Sequence, residues 1–102
     1  MFVVTNRISV TSEYREQFEA LFRQRAGLVD QMPGFIRNEV WRATEGNDYL
    51  ITTYWEDEAS FVAWTRSEAF QRGHGFGGRR EMFAGPPTLE KYEVIQRSER
   101  GG

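Results

Sequence analysis

The stretch FIRNEVWRATEGNDYLITTYWE, residues 35–56, decides how the rest of the chain is read. FIRNEVWRA (35–43) and YLITTYWE (49–56) are rich in β-branched and aromatic residues, and the polar run Thr44 to Asp48 around Gly46 separates them. That pattern predicts two antiparallel strands joined as a hairpin. Side chains alternate across a strand, so Phe35 and Trp41 are expected on one face and Ile36 and Val40 on the other, while Tyr49, Ile51 and Trp55 oppose Leu50 and Tyr54. Both faces of the hairpin therefore carry apolar residues, and both need cover.

Upstream, MFVVTNRISV places Phe2, Val4, Asn6, Ile8 and Val10 on one side and Val3, Thr5, Arg7 and Ser9 on the other, the period of a half-buried strand. Asn6 interrupts the apolar side. Thr11 or Ser12 is placed to cap a helix with Glu13 and Glu16 in its first turn. Tyr14, Phe18, Leu21, Phe22, Leu28, Val29 and Met32 then recur at helical spacing until Pro33-Gly34 ends it. Downstream, Asp57 is placed to cap a second helix, DEASFVAWTR, and Ser67 with Glu68 to restart a short one through SEAFQR. Residues 73–87 hold five glycines and two prolines and read as loop. TLEKYEVIQR (88–97) reads as a final strand, and residues 98–102 as a frayed tail.

The order strand, helix, strand, strand, helix, strand is the ferredoxin-like βαββαβ plan, an α+β single domain spanning residues 1–102. Its helices cover one face of an antiparallel sheet. The simplest cover for the other is the same sheet of a second subunit, so a homodimer is expected. A domain of 102 residues buries only roughly 60–70 % of its unfolded surface, and a second copy adds to that.

Composition removes several classes of function. The net charge of −2 gives no basic excess for nucleic acid or an anionic membrane. Without cysteine there is no disulfide framework, zinc finger, iron–sulfur cluster or c-type haem attachment. The N-terminal apolar run is too short for a signal peptide and no run reaches transmembrane length, so the expected address is cytoplasmic. An aromatic share of 15 % fits either a large core or a flat apolar ligand.

Three residues carry candidate chemistry. His74 is the only histidine. A zinc or non-haem iron site needs three or four converging protein ligands, whereas haem brings its own four equatorial nitrogens and asks the protein for one axial imidazole. An exposed or capping histidine is the alternative. Asn6 on an apolar wall must find hydrogen bonds or a ligand, because an unpartnered buried amide costs on the order of 1–3 kcal/mol; a core polar network or a bulge is the other reading. Trp64 lies three residues after Phe61 on one helix face, where it either packs the core or presses on a bound aromatic plane. Gly73, Gly75, Gly77 and Gly78 surround His74, but they lack the preceding strand and following helix of a phosphate loop.

An asparagine on the first strand, a tryptophan on the second helix and a histidine ten residues later resemble the IsdG-type haem-degrading monooxygenases of the antibiotic biosynthesis monooxygenase superfamily. TNRISV, MPGF, YLITTYWEDEASFVAW and WTRSEAFQRGH extend the resemblance over nearly the whole chain, and Asn6, Trp64 and His74 together are its discriminating part. It implies a dimeric α+β barrel with one haem per subunit between helices and sheet. His74 would be the axial iron ligand, Asn6 would act on the distal side, and Trp64 would push the porphyrin out of plane. Haem would be substrate and cofactor at once, opened to a linear tetrapyrrole with release of iron, and an electron-donating reductase would be needed. A cofactor-free oxygenase of an aromatic quinol or polyketide, and a non-catalytic haem-binding barrel, are the alternatives on the same fold.

Overall fold

The computed structural model describes residues 1–24, 29–67 and 80–101. Within them the chain forms β1 (Phe2–Ser9), a 3-10 turn (Ser12–Tyr14), α1 (Arg15–Gln24), β2 (Phe35–Arg42), β3 (Asp48–Trp55), α2 (Glu58–Thr65), a second 3-10 turn (Arg80–Met82) and β4 (Thr88–Glu93). The strands make one antiparallel sheet in the order β2-β3-β1-β4. This is the expected ferredoxin-like arrangement, with β1 and β3 in the centre.

Local chemistry sets most of the boundaries. Asp57 caps α2 as expected: its Oδ1 accepts from the Ser60 amide at 2.8 Å and from the Ser60 hydroxyl at 2.7 Å. Those two bonds hold the Asp57 carboxyl below its ordinary range. At the start of the first helix Thr11 is extended and makes no side-chain cap, and Ser12 Oγ instead accepts from Asn47 Nδ2 at 2.9 Å. The chain therefore enters α1 through a 3-10 turn. The expected helix does not reach Met32, and Leu28 lies outside the described residues. Residues 30–34 form turns, in which the Met32 amide bonds the Val29 carbonyl and the Phe35 amide the Met32 carbonyl. Gly34 holds φ at +80°, and a Cβ there would stand 2.6 Å from Ser60 Cβ, so the turn before β2 needs glycine on both counts.

β4 stops at Glu93, four residues before the predicted end. Its last ladder pair is Glu93 with Phe2, followed by the Val94 amide bonding the Met1 carbonyl at 3.0 Å. Residues 94–101 are exposed and irregular.

The hairpin corrects one expectation. A bulge between Phe35 and Arg37 shifts the phase of β2 by one residue. Phe35 consequently turns to the helix side, edge-on to Trp55 at 5.5 Å between ring centroids, while Trp41 pairs with Leu50 on the opposite face. Simple alternation had put Phe35 and Trp41 together.

On the helix-covered face the core divides in two. Ile8, Val10, Phe18, Tyr49 and Met82 form one buried cluster, with Phe18 against Tyr49 at 4.8 Å between ring centroids. Phe2, Val4, Trp55 and Phe61 form the other, with Val62 and Trp64 of α2 packed at its border.

The opposite face has no helix among the described residues. Across its middle runs the row Glu39–Thr52–Thr5–Glu90, flanked by Val3, Tyr54 and Tyr92 on one side and Leu50 and Trp41 on the other. Thr5 and Thr52 are 7 % and 0 % exposed, yet neither hydroxyl has a hydrogen-bond partner, and Glu90 Oε1 shares that state. Arg7 Nε approaches Glu90 only to 3.6 Å.

Candidate functional site

Asn6 lies at the seam between the two clusters. Val4 on one side of it belongs to the cluster under α2, and Ile8 on the other belongs to the cluster under α1. Strand register aligns Val40, Ile51, Asn6 and Leu89 in one row across the helix-covered face. The two ends of this row are open: Val40 is 39 % and Leu89 55 % exposed, although both point to the side that the helices cover. Asn6 is half-buried, its backbone lies in the ladders with β3 and β4, and among the described residues its carboxamide makes no hydrogen bond. The result is an apolar band with one unengaged amide at its centre. A carboxamide offers two donors and an acceptor, so this wall suits an apolar ligand carrying one small polar group.

Trp64 reaches the same layer from α2. It is half-buried against Phe2, Val4, Trp55 and Phe61. The end of its helix is fastened by polar side chains: Thr65 Oγ1 donates to the Val62 carbonyl at 2.7 Å, and the Trp64 carbonyl accepts from both the Ser67 amide at 3.0 Å and the Ser67 hydroxyl at 2.7 Å. These bonds set the direction in which the backbone leaves α2. The structure thus brings Asn6 and Trp64 to one layer. His74 lies outside the described residues, as do the short helix expected through SEAFQR beyond Ser67 and the glycines around His74. Among the described residues no three His, Cys, Asp or Glu side chains gather as a metal site, and no helix is long and apolar enough to cross a membrane.

A second polar centre escaped the sequence reading. Glu19 of α1 accepts from the Tyr49 hydroxyl at 2.6 Å and from Arg42 Nη1 at 3.0 Å. The Tyr49 bond, then that of Arg42, holds the Glu19 carboxyl below its ordinary range, while burial and the bond to Glu19 push the Tyr49 phenol up. The only hint in the sequence is a tyrosine at a position whose strand neighbours are apolar.

Comparison with known proteins follows the same lines. Residues 1–75 match the antibiotic biosynthesis monooxygenase family. A heme oxygenase (staphylobilin-producing) of Staphylococcus haemolyticus is 42 % identical over 77 residues, covering 72 % of this chain and 73 % of the relative. A heme oxygenase (mycobilin-producing) of Mycobacterium tuberculosis is 31 % identical over 94 residues, covering 91 % and 88 %. Among solved structures, the heme-degrader MhuD from Mycobacterium tuberculosis with two hemes bound in its active site superposes with a TM-score of 0.80 at 27 % identity, covering 97 % of this chain and 100 % of that one. SnoaB, a cofactor-independent oxygenase from Streptomyces nogalater, shares the fold with a TM-score of 0.75 at 21 % identity, covering 94 % of each chain.

Proposed function

Because the chain belongs to the antibiotic biosynthesis monooxygenase family, we propose that it is a haem-degrading monooxygenase that opens the porphyrin to a linear tetrapyrrole and releases iron. The observation that carries this reading is the row Val40–Ile51–Asn6–Leu89, an open apolar band with an unengaged carboxamide at its centre. Relatives named as heme oxygenases and heme-degrading monooxygenases support it.

The residues fit the group they would hold. An apolar wall excludes water from a macrocycle, and one imidazole completes an axial position. When bound, haem supplies both the iron and the ring carbon that dioxygen attacks, with electrons from an external donor such as a reductase. Asn6 would present its amide N–H donors to a small polar species beside the ring. Trp64 would set its indole against the ring from α2. His74, ten residues beyond Trp64 in the sequence, would supply the imidazole.

Purified protein titrated with haem is expected to bind it, and adding a reductant in air to bleach its absorption and yield a linear pigment. Haem bound but stable would leave only a binding barrel, and no binding would turn the reading to the cofactor-free alternative. His74→Ala is expected to lose the wild-type haem spectrum. Asn6→Ala is expected to keep haem and lose turnover. Trp64→Ala is expected to fold, hold a flatter haem and degrade it slowly, with Phe intermediate. A large loss of stability with normal turnover in the folded fraction would reduce Trp64 to packing.

The same reading includes a homodimer closed over the helix-free face. Leu50, Tyr54, Trp41 and Tyr92 offer apolar area there that a covering surface would bury. Light scattering is expected to give twice the monomer mass, and Leu50→Asp to give the monomer. A wild-type monomer at micromolar concentration, unchanged by haem, would sink the assembly.

A further inference from the structure

Between α1 and the far ends of β2 and β3 lies a cavity of about 760 Å³, on the side of the cluster containing Phe18 and Tyr49. Its lining carries three guanidiniums, Arg15, Arg23 and Arg42, and one carboxylate, Glu19. Glu19 is already engaged: its Oε2 accepts from Tyr49 and Arg42, and Arg23 Nη2 stands 3.6 Å from its Oε1. Arg15 Nε lies 3.4 Å from the Tyr49 hydroxyl, with its Cζ 5.8 Å from the ring centroid. Two positive charges are therefore left over in a concave site. Each guanidinium carries five N–H donors in a planar fork, and the bonds above use one on Arg42 and one on Arg15. Phe22 and Val40 line the same cavity with apolar surface.

We infer that this cavity is a binding site for an aromatic carboxylate, beside the Asn6–Trp64 cleft and sharing Val40 with the row that carries it. The carboxylate takes the free fork of Arg42 or Arg15, where charge-assisted bidentate bonds are strongest, and the ring lies against Phe22 and Val40. The positions of the arginines depend on rigid parts. Tyr49 is fully buried on a central strand, its hydroxyl fixes Glu19, and Glu19 in turn aims Arg42. The site does not rest on the haem reading, since its charged residues, Arg15, Glu19, Arg23 and Arg42, are outside the row that carries that reading.

The test is a titration of ¹⁵N-labelled protein, free of haem, with sodium 2-naphthoate and with the neutral 2-naphthalenemethanol. Saturable shifts are expected for the Nε–H signals of Arg15 and Arg42 and the amides of Ala43 and Thr44, with the neutral alcohol binding at least about tenfold more weakly, the effect of one charge-assisted bond. Arg42→Gln is expected to weaken naphthoate about tenfold and Arg42→Lys by less, because a lysine keeps the charge and loses the fork. Equal affinity for acid and alcohol in the wild type would overturn the site without any variant. So would shifts centred on the Asn6 and Ile51 signals.

Discussion

The two faces of the sheet spend the same kind of residues in opposite ways. On the helix-covered face Phe2, Val4, Ile8, Tyr49 and Trp55 are buried, and the break in the apolar surface is a half-open amide, Asn6, between exposed Val40 and Leu89. On the helix-free face the buried residues are Val3 and the small Thr5 and Thr52 at the centre, with Trp41, Leu50 and Tyr92 outside them. One face is a finished core with an opening at Asn6. The other is an unfinished core whose polar centre is closed to water but has no partner. A polar residue in an apolar surface therefore means different things on the two sides: access for a ligand on the first, and a groove awaiting a cover on the second.

The contrast breaks most easily at its finished end. Phe18, fully buried among Tyr49, Phe22 and Phe83, is expected to cost about 3–5 kcal/mol on truncation to Ala. Thermal unfolding by circular dichroism checks this, and a loss below about 1 kcal/mol would mean that the cluster under α1 repacks. Next comes the turn that sets the phase of β2. Gly34→Ala puts a side chain at positive φ and against Ser60, with an expected loss of about 1–3 kcal/mol. If denaturant midpoints moved by less, the turn would have another conformation open to it.

On the unfinished face the expected effect is small and its direction informative. Thr52→Val removes a hydroxyl with no partner, so within a monomer it is expected to change stability by less than about 1 kcal/mol. A loss above about 1 kcal/mol in denaturant unfolding would mean that the Thr52 hydroxyl has a partner in solution.

The smallest effects concern the network between α1 and the sheet. Tyr49 and Arg42 hold the Glu19 carboxyl below its unfolded value, so its share of stability is present at neutral pH and is lost as pH falls through the lowered folded pKa. Tyr49 is raised, so its share is present below the unfolded phenol pKa near ~10 and is lost as pH rises beyond it. Glu19→Gln is expected to flatten the acid limb of a melting-temperature profile, and Tyr49→Phe the alkaline limb. Unchanged limbs would mean that these bonds are made equally in the unfolded chain.

The element order was legible because each segment has one dominant period: two in FVVTNRIS and YLITTYW, near 3.6 through Phe18, Leu21 and Phe22. The cap at Asp57 was legible because it acts within one turn. Asn6 could be picked out as an anomaly in its period and Trp64 by its place three residues after Phe61 on one helix face, and the structure places both on one layer. The bulge at residue 36 could not be read, since it trades one local alternation for a better long-range fit of Phe35 onto Trp55. The Arg15–Glu19–Arg42–Tyr49 network joins residues up to 34 apart, and nothing local marks them as a group.

By itself the sequence determined the βαββαβ order, the apolar character of both sheet faces and the presence of a single amide in an apolar strand, because these follow from side-chain chemistry repeating at backbone periods. Only the tertiary structure decided which face each hairpin residue takes, where β4 ends, that Thr5 and Thr52 meet as unpartnered buried hydroxyls, and that three arginines line one cavity with Glu19. Those outcomes depend on register between strands distant in the chain, and register is set by summed packing across the sheet rather than by any residue's own preference.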